Sequence, residues 1–221
     1  MTTQEFEKTY WKYYLLLEND FLSTEKYVTL DNDNAKAFSM EYMKIFQMIC
    51  AEIDVCAKVF CKHLQNDFGN DTLPHYGKII LTKYPNLVND EVLILPINES
   101  LTPWQGWAWN EGIDKNGNVR INGTGPKWWS EHNKVKHSRT LVDGSILNYK
   151  KANQNNVINA LAALFQVEMY FYNLLADNEN LERKTPLPKS KLFSIPRWTN
   201  TVSEGWEMKF SLQGNNLYIN N

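Results

Sequence analysis

The side chains best suited to chemistry lie together in one segment, Trp128-Trp129-Ser130-Glu131-His132-Asn133-Lys134-Val135-Lys136-His137-Ser138-Arg139. On a helix, Trp129, Asn133 and His137 share a face at spacings of four, and His132, Lys136 and Arg139 line the neighbouring one. Two imidazoles, an amide and three cations are thereby concentrated on about two turns. From Lys127 to Lys151 there are six Lys or Arg and two acids, a local balance of +4. The whole chain has 23 Lys and Arg against 25 Asp and Glu, a net charge of −2. A positive island in a faintly acidic protein points to a site for phosphates or carboxylates. Lys134, Lys136 and Arg139 are the candidate anion-holding side chains, and His137 the candidate base, because imidazole exchanges protons near neutral pH.

Helices must position this segment. The first is expected from about Gln4 to Val28, where Phe6, Tyr10, Tyr13, Leu17 and Phe21 form one apolar stripe. The turn residues Leu30 to Asn34 end it. A second runs from Ala35 to about Gln65, with Met43, Phe46, Cys50, Ile53, Ala57, Phe60 and Leu64 at alternating spacings of three and four. Such a seam packs against another long helix. Glu52 lies beside it among apolar neighbours and needs a partner. The third helix starts after Gly125-Pro126 and reaches Arg139, Pro126 suiting a first turn. Asp143-Gly144 marks a turn. The fourth runs from about Lys151 to Asn178 with two apolar rows, which makes it central; Glu168 occupies one of its seam positions.

Between the second and third helices, residues 67–126 give weaker signals: a short helix from Pro74 to Leu81, an extended Val92–Pro96, and a turn at Asn116-Gly117 flanked by Ile113 and Val119–Ile121. Five of the eight tryptophans fall between Trp104 and Trp129. About 60 residues is too long for a simple loop, so a structured insertion or lid is expected. The tail after Leu187 suggests a terminal hairpin, Met208–Leu212 with Leu217–Ile219, packing on the helices. The fold expected is mainly α: one domain over 1–221, an antiparallel bundle of four helices with a Trp-rich, mostly irregular insertion at about 67–126, and a C-terminal extension at about 185–221 bearing a short β hairpin.

With 221 residues, 43% hydrophobic and 22% charged, the composition is that of a folded domain and excludes a disordered or collagen-like chain. A pI near 6.1 argues against a generally basic nucleic-acid coat. No apolar run approaches the ~18 residues that span a bilayer, and the N-terminus lacks a signal-peptide core, so a cytoplasmic protein is expected. Cys50, Cys56 and Cys61 lie in one helical stretch at spacings foreign to zinc knuckles and read as reduced core residues.

His132-Asn133-x-x-x-His137, on the third helix, resembles the Arg-Asn-x-x-x-His signature of the HEPN superfamily, helical domains of toxin–antitoxin, phage-defence and RNA-processing proteins. Ala51-Glu52-Ile53-Asp54-Val55-Cys56-Ala57-Lys58 is similar to the Glu-Ile-x-x-Lys pattern of a preceding HEPN helix, with Lys58 one position late. The resemblance covers roughly 35–66 and 127–178. It implies a four-helix HEPN-like bundle, commonly a homodimer whose site is completed across subunits, and metal-independent endoribonuclease chemistry without a cofactor. His137 matches the family histidine, Asn133 the polar residue after the arginine, Glu52 the helix acid, and His132 stands at the arginine position. A histidine is a cation only when protonated; Arg139 or Lys136 could supply charge from the next row. In such chemistry a base frees a ribose 2′-hydroxyl to attack its own 3′-phosphate, a nearby cation stabilises the phosphorane, and a cyclic phosphate results.

These residues are compatible with three function classes: a HEPN-like ribonuclease of bacterial stress or phage defence, a non-catalytic module binding nucleotide, RNA or a protein partner through the same basic face, and a purely structural interaction protein. His137 and Asn133 could equally satisfy one another in a packed helix pair. Lys134, Lys136 and Arg139 could be a solvated face. Glu52 and Glu168 read as hydrogen-bonded or paired across helices. The tryptophans suit an insertion core or a stacking platform. No spacing demands a metal.

Overall fold

The computed structural model describes residues 1–69, 72–199, 209–213 and 216–220. It is mainly helical with small antiparallel sheets. The helices are α1 (Thr3–Phe6), α2 (Lys12–Ser23), α3 (Met40–Leu64), α4 (Leu73–Lys83), α5 (Lys127–Ser138), α6 (Gln154–Asn178) and α7 (Pro196–Thr199). The strands are β1 (Val92–Ile94), β2 (Glu99–Leu101), β3 (Ala108–Ile113), β4 (Val119–Thr124), β5 (Val142–Asp143), β6 (Ile146–Leu147), β7 (Phe193–Ser194), β8 (Lys209–Gln213) and β9 (Asn216–Asn220).

α6 has no polar face, so only burial on all sides removes its apolar surface from water. Between Asn156 and Tyr172 every residue except Asn159 is buried. Asn153 caps it by accepting from the Asn156 N–H at 3.0 Å. α3 lies along it with Phe46, Cys50, Ile53, Ala57 and Phe60 buried, as the seam requires, and Phe60 stacks on Phe171 at 5.0 Å between ring centroids. Ser39 caps α3 through the Tyr42 N–H, so the helix starts at Met40 and not at Ala35. The three cysteines are free and buried.

The N-terminal stripe is buried at Phe6, Leu17 and Phe21, as expected, but is displaced between them. Glu7–Trp11 form a π-helical turn between α1 and α2. Such a turn carries an extra residue and advances the phase of the helix beyond it. Trp11 and Tyr14 are therefore buried in place of Tyr10 and Tyr13, which lie half-buried at the flank.

The Trp-rich insertion is not irregular. α4 fills its start, β1 joins β2 and β7 in an antiparallel sheet of order β2-β1-β7, and β3 pairs with β4 from Ala108↔Thr124 to Ile113↔Val119. The last pair closes over the expected Asn116-Gly117 turn, where Gly117 takes φ +80°. Tryptophans are its core: Trp104, Trp107 and Trp128 are buried, and their indole N–H groups donate to the carbonyls of Ala163 (3.0 Å), Leu73 (3.1 Å) and Pro103 (2.6 Å). The Trp104 bond fastens the insertion to α6. At the C-terminal side, Glu18 on α2 accepts from Tyr14, Ser190 and the Lys191 N–H, tying down the extension. β8 and β9 pair antiparallel as expected; the turn at 214–215 and the packing of that hairpin lie outside the described residues.

Glu168 departs from expectation. It is fully buried, and neither carboxyl oxygen has a hydrogen-bond partner. Burial first, and then the Glu52 charge, hold its carboxyl well above the usual range. Among the described residues no cross-helix cation rescues it; the charge that acts on it is another acid, Glu52.

Both interior contacts can be tested by unfolding. Phe60→Ala lowers unfolding free energy by about 3–5 kcal/mol, read from the urea midpoint. Glu168 in the folded state holds its proton above the unfolded pKa, so it costs stability as pH rises from about 4.5. Glu168→Gln removes that slope, and its stability relative to wild type climbs between pH 4.5 and 7, by at most ~1.4 kcal/mol per unit. A flat difference would show that the carboxyl is not proton-linked.

Candidate functional site

α5 begins after Pro126, whose extended backbone at ψ 160° precedes the helix. Its buried side is Trp128, His132 and Val135, at spacings of four and three. This phase decides which of the candidate residues face outward. Asn133, Lys136 and His137 are exposed on the last two turns, and Arg139 is exposed at the C-cap.

His132 does not join Lys136 and Arg139. It is 5% exposed, its Nε2 lies 3.1 Å from Gln47 Oε1, and its ring meets Phe46 and Trp129 at 5.4 and 5.6 Å between centroids. Burial, reinforced by the positive Lys136 and by His137, pushes the imidazole down to about 4. The group at the family's arginine position is therefore neutral at pH 7 and carries no charge toward a phosphate.

Lys134 is also committed elsewhere. Its ammonium lies 3.1 Å from Glu131 and 2.6 Å from Asp143, while Lys151 reaches the same two carboxylates at 2.5 and 2.7 Å. Hydrogen bonds from Lys134 and Lys151 draw the Asp143 carboxyl down to about 2. Burial raises Glu131, but the two lysines outweigh it and hold it below its usual value. This four-membered network fastens the β5–β6 hairpin to α5 and neutralises two of the six local cations. Lys150 lies 5.2 Å from the Phe38 ring centroid.

Beside α5 runs a cleft of about 650 Å³. Gln47, Cys50, Ala51, Asp54 and Val55 of α3 form one wall; Trp129, His132, Asn133 and Lys136 form the other; Thr72, Leu73 and Pro74 close the end. Asn133 and Lys136 thus meet in one depression, with His137 exposed next to it in sequence. Glu52 does not enter it. Half-buried on another side of α3, it acts electrostatically on Tyr10, Tyr13 and Glu168, and burial raises its carboxyl. The acid facing the cleft is Asp54, which accepts from the Tyr76 hydroxyl at 3.0 Å. Sequence reasoning passes over Asp54 and Gln47, although their spacing of seven, with Cys50 and Ala51 between, is a legible stripe on α3. Cys50 is no nucleophile here, since burial drives its thiol well up. Among the described residues no group of three or more His, Cys, Asp or Glu is placed to hold a metal ion, and no helix is long and apolar enough to cross a membrane.

Comparison with family models, curated proteins and solved structures returns no match.

A neutral buried histidine makes its own prediction. His132 binds its proton less readily folded than unfolded, so stability is lost as pH falls from about 6.5 toward 4. His132→Gln keeps an amide near Gln47 and removes this slope. Urea midpoints compared at pH 7.5 and 5 should show wild type losing roughly 1–3 kcal/mol more than the variant; equal losses would place the titration elsewhere.

Proposed function

We propose that this chain is a HEPN-like, RNA-associated cytoplasmic protein of bacterial stress or phage defence, with α2, α3, α5 and α6 as its four-helix bundle. The exposed end of α5 holds the ribose–phosphate chain: Lys136 and Arg139 meet phosphate, Asn133 a sugar or base edge, and His137 is the base that frees the 2′-hydroxyl. The observation that carries the reading is the outward placement of His137 on the same end of α5 that exposes Lys136 and Arg139, two cations with no carboxylate partner among the described residues. Cleavage of this kind moves the 2′-hydroxyl proton to the imidazole, forms the bond from O2′ to phosphorus and breaks that from phosphorus to O5′, which leaves as a hydroxyl by taking a proton from water; a 2′,3′-cyclic phosphate remains. A homodimer is part of the proposal, since a second α5 would bring a further cation over the same phosphate.

Burial of His132 favours a second reading, binding without cleavage. A single chain offers Lys136 and Arg139 on flexible stems, not a fixed guanidinium at the family position, and a preorganised cation contributes about 2–4 kcal/mol to such a transition state.

Mixed RNA incubated with the protein in EDTA separates the two. The nuclease reading expects fragments ending in cyclic phosphate, lost in His137→Ala while salt-sensitive RNA affinity persists. Intact RNA with both proteins, together with affinity that falls steeply as salt rises, leaves the binding reading. Neither cleavage nor binding removes both.

A further inference from the structure

The α5 cleft does not end at α4. A second depression of about 260 Å³ shares Leu73, Pro74, Trp129 and Asn133 with it and continues to Gly123, Thr124 and Gly125. A third, of about 480 Å³, shares Pro74 and Gly123 with the second and carries His75, Arg120 and Asn122. Adjoining through these shared residues, the three follow one line from α5 over the start of α4 to β4 of the β3–β4 hairpin. Two glycines let the walls pack closely: a Cβ on Gly125 would stand 2.7 Å from Leu73 Cδ2 and 3.1 Å from Trp129 Cδ1, and one on Gly123 would collide with the Ala108 carbonyl oxygen and stand 3.2 Å from Pro74 Cβ.

The lining has a recurring composition. The α5 part carries a cation, a ring and an amide in Lys136, Trp129 and Asn133, and the hairpin part carries the same three kinds in the exposed Arg120, His75 (whose Nδ1 lies 2.6 Å from Thr72 Oγ1) and Asn122. Among the described lining residues Asp54 is the one carboxylate, at the α3 wall. Each depression has the scale of a nucleotide-sized ligand, a few hundred Å³. Rings for stacking, amides for base edges and separated cations for phosphates are what an unpaired strand requires, whereas duplex RNA hides its bases from such groups.

We propose that this groove is the path of single-stranded RNA, running from Lys136 across Trp129 and Asn133, over Pro74, to Arg120 and His75. The proposal rests on the RNA reading of α5 and adds the hairpin as a second contact, so longer strands bind more tightly than short ones.

Fluorescein-labelled oligoribonucleotides of three and twelve residues, and a twelve-base-pair duplex, are titrated by anisotropy against wild type, Arg120→Glu, Lys136→Glu and, as a remote charge control, Lys83→Glu. His75→Ala joins the set in case the Arg120 variant unfolds, which circular dichroism reports. The expected result is tighter binding of the twelve-mer than of the three-mer. Arg120→Glu weakens the twelve-mer ~10-fold, lowers its salt slope by about 1 and leaves the three-mer unchanged. His75→Ala weakens the twelve-mer alone, Lys136→Glu weakens both, and Lys83→Glu neither. If Lys136→Glu weakens the twelve-mer but Arg120→Glu and His75→Ala do not, the groove is overturned and the α5 reading stands. Duplex binding as tight as the single strand also overturns it. No binding of any oligomer removes the RNA reading together with the groove.

Discussion

Because α6 cannot face water on any side, α3, the N-terminal helices, α5 and the tryptophan-rich insertion are each required as cover, and the long contact with α3 is the first of these. Phe60 on Phe171 and the Trp104 bond to the Ala163 carbonyl are two points where that demand is met. A helix enclosed in this way fixes the rotation of its neighbours. The side of α5 that supplies Trp128, His132 and Val135 to the interior leaves Asn133, Lys136 and His137 outside. The site is thus a consequence of core packing.

Burial also reassigns charge. Of the basic residues around α5, Lys134 and Lys151 are paired with Glu131 and Asp143 and hold a hairpin in place, while His132 is kept neutral by its surroundings. The local excess of positive charge then rests on Lys127, Lys136, Arg139 and Lys150, and of these Lys136 lines the cleft. Burial shifts two interior groups, His132 and Glu168, toward their uncharged forms, and they bend stability in opposite directions with pH because one is a base and the other an acid.

Much of the helical framework is legible in the chain. The α3 seam, the start of α5 after Pro126, the apolar circumference of α6 and the Asn116-Gly117 hairpin all come from local pattern, since spacing of apolar residues and turn chemistry act over a few residues. The first helix's stripe holds at Phe6, Leu17 and Phe21 but misses at Tyr10 and Tyr13, because a π-helical turn leaves no periodic signature. The insertion reads as mostly irregular because β1 finds a partner in β7, about a hundred residues away, and such pairing has no local signal. Within α5, grouping His132 with Lys136 and Arg139 by spacing misses that His132 sits in line with Trp128 and Val135, the residues that go inward. A partner is expected for Glu168; packing around α6 supplies none among the described residues.

Residue type and spacing along single helices suffice for the elements, for the clustering of imidazole, amide and cations on α5, and for the buried cysteines. They do not suffice for which histidine is sealed and which is open, which lysines are already paired, that Asp54 and not Glu52 faces the cleft, or that the cleft continues onto a hairpin. Those outcomes depend on the rotation of whole helices against one another, and that rotation is set by the simultaneous packing of surfaces far apart in the chain.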